Sequence, residues 1–282
     1  MREYKYTFEY YRYQLVPTKV SQLSIDNVPY TVDKLKEMKN QFFSEALSKV
    51  SFRYRDKDLP STLCYHQGEL FMLLLGNNKA VEYIEDFEKK KIKSDPFSIV
   101  VIDNAPDNQV IAIRNDSRAF SSADSIAKLL QETINRHLNY YNLEMHVEAI
   151  SDGKDFWDAI QSSKNEVVKI SFEIIKPNVS NISRALTDDI KGLIDKYHSH
   201  KTVLSMEASS SGQLININKD DKDMSGLADY TAKGGGRSFV KFKDKTTYDS
   251  RKHIKKKIQK TLLDLKNSTQ EQLSDLIGKI LK

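Results

Sequence analysis

Three consecutive glycines, Gly234, Gly235 and Gly236, come nearer to a ligand-binding motif than any other stretch of this chain. Glycine tolerates positive φ and lets a phosphate or another backbone come close, so the run marks either an anion-contacting loop or a sharp reversal. A phosphate loop needs a helix N-terminus aimed at the anion, yet no GK[ST] follows and residues 238–243 alternate as a strand. The spacing therefore predicts a structural turn.

The remaining chemistry-bearing residues are scattered. Asp155, Glu173 and Lys176 supply the residue types of a restriction-type nuclease, but ExxK on a strand puts Glu173 and Lys176 on opposite faces. Asp220, Asp221 and Asp223 lack the glycine and closing glutamate of a calcium loop and are read as solvated. Asp103, at the end of an apolar run, is read as a turn-forming residue and not a metal carboxylate. His137 lies in an apolar helical arc and reads as a core histidine, and Cys64 with His66 has no third group to orient it. His198 and His200 face one way only in an extended chain, and nothing near them in sequence completes a site. No metal and no cofactor are expected.

Charge is the stronger signal. The chain carries a net +5, and between Lys233 and Lys260 eleven Lys or Arg stand against Asp244 and Asp249, a local excess of +9. Such a concentration attracts polyanions with salt-dependent affinity. The candidate nucleic-acid contacts are Lys233, Arg237, Lys241, Lys243, Lys252, Lys256 and Lys260, with DNA and RNA equally served.

The elements that must position these residues follow from periodicity. Tyr4, Tyr6, Phe8 and Tyr10 alternate with polar residues, predicting a half-buried strand with an aromatic inner face. Residues 32–50 predict a helix capped by Thr31 or Asp33, and 69–75 a strand buried on both faces. Residues 79–93 lean towards extended structure. Residues 97–102 and 109–113 flank a turn-rich hexamer and predict a hairpin. Ser121 or Ser122 opens a helix to about Tyr141, and a strand over 143–150 closes a first unit. A second unit starts at Ser151, with a helix carrying Phe156, Trp157 and Ile160 and a strand over 167–175. A helix over 182–197, a hairpin of 203–208 with 213–217, and a short helix to Tyr230 follow. From Asp249 on, Ile254, Ile258, Leu262 and Leu265 share one side of a helical wheel, with Lys252, Lys256 and Lys260 opposite. Ser268 to Glu271 reads as a capping box starting a second helix with Leu273, Leu276, Ile277, Ile280 and Leu281, whose apolar face needs a partner surface.

These elements give an α+β protein of two mixed, largely antiparallel sheets with flanking helices. The expected domains are 1–150, 151–245 and a basic helical tail over 246–282. One cysteine in 282 residues excludes a disulfide framework. The start has no apolar signal segment and the longest apolar run is too short to span a bilayer, so a cytoplasmic protein without membrane contact is expected.

Phe156, Trp157 and Ile160, then Phe172 with Lys176-Pro177-Asn178, Leu214 to Ile217, and Tyr230 to Gly236 before a basic strand resemble in layout a set of uncharacterised prokaryotic proteins found near phage-defence genes. The likeness covers about 151–243, with a weaker echo in the turn at Asp103 to Pro106. More loosely, the chain is similar to the DNA-binding subunit of the Kiwa system. The resemblance implies a nucleic-acid-binding component of an antiviral system, as a homodimer or beside a companion subunit, and carries over no catalytic residue. The alternatives are a metal-dependent nuclease using Asp155 and Glu173, and a non-enzymatic protein-interaction subunit.

Overall fold

In the computed structural model, residues 5–18, 31–54, 57–162, 166–176, 180–260, 265 and 267–282 are described. Strand β1 (Lys5–Pro17) is followed by helix α1 (Val32–Lys49), whose cap Thr31 accepts a hydrogen bond from Lys34 N. Short β2 (Arg53–Tyr54) and β3 (Lys57–Asp58) pair together ahead of β4 (Ser61–Gln67) and β5 (Leu70–Gly76). A two-stranded ribbon of β6 (Lys79–Glu85) and β7 (Glu88–Ser94) precedes β8 (Phe97–Asp103) and β9 (Val110–Arg114). Helix α2 (Ala123–Leu138), capped by Ser122, and β10 (Leu143–Ala149) complete this half. The other half runs α3 (Gly153–Ser162), β11 (Val167–Ile175), α4 (Ser180–Ser183), α5 (Asp188–Lys196), β12 (Lys201–Glu207), α6 (Lys222–Tyr230) and β13 (Gly236–Phe242). It ends with β14 (Thr247–Asp249), β15 (Lys256–Lys260) and α7 (Gln270–Leu281).

The fold is α+β, and every strand pair among the described residues is antiparallel. A seven-stranded sheet has the order β10-β1-β9-β8-β5-β4, with β15 also on β1; a four-stranded sheet has the order β12-β11-β13-β14. The expected hairpin is present, with Asp103 facing Val110. At its turn Asp103 accepts from Ala105 N (2.9 Å) and from Asn108 Nδ2 (2.6 Å), the turn-forming role its position predicted.

Strand β1 differs from its expectation because both of its faces are covered. Tyr11, Tyr13 and Leu15 pack under α1 and α2, while Phe8 and Tyr10 pack under Leu273, Leu276, Ile277 and Ile280 of α7. Tyr4 lies outside the described residues. The apolar face of α7 thus finds its partner within the chain, which removes the sequence argument for a dimer. Its cap is Thr269 with Gln272, one residue later than predicted.

The basic tail is the main correction. The spacing of Ile254 and Ile258, four residues apart, suits a strand as well as a helix, and the structure makes 256–260 strand β15. Tertiary demand decides it. β10 covers one edge of β1 only along residues 11–17, leaving the amides and carbonyls of 5–9 open. β15 fills that gap, pairing Lys5 with Lys260 through Glu9 with Lys256. Leu262, part of the expected stripe, lies outside the described residues, and Ile258 is 63% exposed.

Two smaller differences lie in the second unit. The helix expected over 182–197 is broken into α4 and α5, because Thr187-Asp188-Asp189 is itself a helix start. Residues 213–217 form no strand. β12 pairs with β11 instead, while Leu214 and Ile217 pack on the second core.

Candidate functional site

The glycine turn is an internal packing point. Gly234, Gly235 and Gly236 are all buried, and Gly234 has φ +82°. A Cβ on Gly234 would strike Arg12 and crowd the Glu148 carbonyl, so the turn needs its glycine to let the two units touch. Around it Arg12 Nε donates to Lys233 O (2.6 Å), Ser151 N to Ala232 O (2.8 Å) and Tyr230 Oη to Ile175 O (2.8 Å). No space for a phosphate remains, as the strand after the glycines foretold.

The seven predicted basic contacts do not form one row. Lys233 is exposed, 3.8 Å from Asp229. Arg237 forks onto Asp249 at 2.9 and 2.7 Å, Lys243 pairs with Glu166, and Lys256 lies 3.0 Å from Glu9. Lys241 and Lys252 are exposed, and the Lys260 side chain lies outside what is described. Lys252 sits in a short turn and Lys256 on β15, so the helical row opposite an apolar stripe is replaced by separate surfaces.

Arg237 and Lys241 do share a surface. One face of the four-stranded sheet packs Ile170, Phe172, Ile174 and Val240 into the second core. The opposite face has a depression of about 250 Å³ lined by Lys169, Ser171, Glu173, Arg237 and Phe239. Across β11 and β13, Lys169 faces Lys241, Ser171 faces Phe239 and Glu173 faces Arg237. The Arg237 guanidinium carbon stands 5.8 Å from the half-buried Phe239 ring centre. Partial burial opposes ionisation of Glu173, but the Lys201 hydrogen bond (2.7 Å) and the charges of Lys201, Arg251 and Arg237 outweigh it and hold the carboxyl below its usual range. Asp155 is elsewhere, 3.7 Å from His253. The carboxylates of the nuclease reading are thus bound to different partners.

A second cluster joins residues far apart in sequence. On β10, Glu144, His146 and Glu148 alternate with the core residues Leu143, Met145 and Ala149, so they point at the second unit. Glu148 receives the Arg251 fork at 2.8 to 3.1 Å. His200, immediately before β12, brings Nε2 against His146 Nε2 and to 3.2 Å from Glu144 Oε2; His146 Nε2 is 3.6 Å from that oxygen. Burial, then the neighbouring His200, hold the His146 imidazole below its usual range. These are the ligand atoms among the described residues that converge in a manner suited to a metal ion. His200 has no partner near it in sequence because its partners come from another sheet; the signal in the sequence is Glu144-x-His146 on one face of an alternating strand. Cys64, by contrast, is half-buried and donates to Met72 O (3.2 Å), and burial raises its thiol pKa, as befits an unreactive thiol.

Among the described residues no helix is long and apolar enough to cross a membrane. Compared with known proteins, the chain matches no family model, no curated protein and no solved structure.

Proposed function

We propose that the chain binds single-stranded nucleic acid across the open face of its four-stranded sheet. Following the resemblance in layout, we place this activity in a prokaryotic antiviral system. The observation that carries the reading is Lys169 directly opposite Lys241, beside the ring of Phe239. Like charges facing each other across a strand pair are unfavourable. Lys169 also meets Glu207 of β12 at 3.0 Å, which offsets part of that repulsion, so a phosphate would engage the exposed Lys241 first, with Lys169 beside it. An aromatic ring on a solvated sheet gives a base something to stack on, and stacking is indifferent to sequence. The face also carries Ser171 as a neutral hydrogen-bonding group and Arg237 beside the ring.

The test is fluorescence anisotropy with labelled single-stranded DNA and RNA across a salt series. Lys169→Glu with Lys241→Glu should weaken binding at least tenfold and make the salt slope shallower by about 1.4, two phosphates at ~0.7 each on a single strand. Phe239→Ala should weaken binding while leaving the slope intact. Unchanged affinity in the double variant, or no binding by the parent chain at low salt, removes the proposal.

A further inference from the structure

We propose that Glu144, His146 and His200 bind one divalent transition-metal ion of the zinc class, stapling the edge strand of the first sheet to the start of the second sheet's edge strand. The geometry is the first argument. Four ligands arranged tetrahedrally at 2.0–2.1 Å from zinc lie about 3.3 Å apart. Glu144 Oε2 stands 3.2 Å from His200 Nε2 and 3.6 Å from His146 Nε2, on either side of that value. The two Nε2 atoms stand well inside that value, so one imidazole has to turn or shift before an ion can enter between them. All three ligand atoms fall within 4.8 Å of one another.

The donor set is the second argument. Two neutral imidazoles and a carboxylate match borderline ions, whereas magnesium and calcium call for shells of oxygen. Two imidazole nitrogens aimed at each other make at most one hydrogen bond between them, and only when one carries its proton on Nε2 and the other does not. A shared cation satisfies both lone pairs at once. The support is rigid on the first-sheet side: Gln14 faces His146 and Val16 faces Glu144 across β1. On the second-sheet side His200 O accepts from Lys176 N (2.9 Å), fixing the residue that carries the third ligand. No fourth His, Cys, Asp or Glu joins the group among the described residues, so the remaining position falls to water, at a place where Glu144 and His200 side chains are about one-third exposed. The inference does not depend on nucleic-acid binding, because its probe is the metal alone.

The experiment takes the full chain, stripped with a chelator and dialysed, and titrates it with Zn²⁺, Co²⁺ and Mg²⁺. Calorimetry should give one Zn²⁺ per chain and Co²⁺ should develop visible absorption. The melting temperature should rise with Zn²⁺ and not with equal Mg²⁺. His146→Ala, His200→Ala and the shape-preserving Glu144→Gln should each weaken zinc binding at least 100-fold, more than the ~10–100-fold typical of residues that merely support a ligand. His253→Ala, outside the cluster, should leave it unchanged. No zinc uptake by the parent chain overturns the proposal, and so does stoichiometric uptake that survives in the His146→Ala/His200→Ala double variant.

Discussion

Asp116 is caught between two arginines of unequal burial: its carboxylate meets Arg118 at 2.7 Å and the buried Arg114, whose other bond goes to Phe97 O at 2.7 Å. The Arg118 hydrogen bond, with Arg114 behind it and against the opposing effect of burial, lowers the Asp116 pKa to about 2. A carboxyl whose folded pKa lies below its unfolded value of ~3.9 contributes stability at all higher pH and loses it as pH falls from about 4 towards 2. Acid titration of the melting temperature should therefore show a loss in that window which Asp116→Asn flattens. Asp116→Asn should also lower stability at pH 7 by ~3 kcal/mol, since it leaves Arg114 buried without its counter-charge. An unchanged acid limb in the variant refutes this account. At this scale the sequence was readable where a residue's partners are near it in the chain. Asp103 bonds two and five residues away and was identified as a turn former. Asn104, read as part of the same turn, is also a buried hub that local sequence does not reveal: its amide is satisfied by Asn40 O at 2.9 Å, Ser44 Oγ at 3.0 Å, Glu69 Oε2 at 2.7 Å and Tyr13 Oη at 2.6 Å, from α1, the β4–β5 turn and β1. His200 was opaque for the same reason.

Elements divide along the same line. α1 and α2 carry a helical period, and β5, β8, β9 and β11 are short apolar runs, too short for a buried helix; each lies where its pattern put it. β15 does not, since its apolar spacing fits two periods and the open edge of β1 made the choice. The junction is explicit at Tyr10, where Tyr10 N donates to Lys255 O (3.1 Å) and Ile150 N to Tyr10 O (2.9 Å), passing the ladder from one strand to the other. The glycine turn was identified from sequence, but the reason it needs glycine is spatial. A Cβ on Gly235 would run into the ring of Tyr230, which is buried and tied by its hydroxyl to Ile175 O, so the ring cannot yield. Gly235→Ala should cost about 1–3 kcal/mol by overpacking, without any appeal to positive φ. Gly192→Ala is the contrast: it lies within α5 facing open space and should gain ~0.5–1 kcal/mol. Denaturant midpoints of the two variants check both signs. A Gly235→Ala protein as stable as its parent means the turn tolerates a side chain.

At the scale of the whole molecule, the first sheet is completed from both ends of the chain. Residues 1–150 provide six of its strands and the two helices under one face, but β15 and α7 arrive only after the second unit has been made. Without them Phe8, Tyr10, Met72, Ile99 and Val101 lose the α7 side chains that bury them, and β1 has an open edge at residues 5–9. Four buried α7 side chains at about 1.5–3 kcal/mol each amount to a large share of the ~5–15 kcal/mol that holds an ordinary domain folded. The remaining part of that face of β1 is also covered from beyond residue 150, by Arg12 with Lys233 O and by Gln14 with Tyr230 Oη. A fragment of residues 1–150 should therefore lack cooperative unfolding or melt far below the full chain. Removing 246–282 from the full chain should likewise expose apolar surface and lower soluble yield, where loss of a free basic tail would change neither. Thermal melts followed by circular dichroism decide the matter. A 1–150 fragment melting within a few degrees of the parent would establish an autonomous first domain, with the C-terminal segments as additions to it and not as parts of its core.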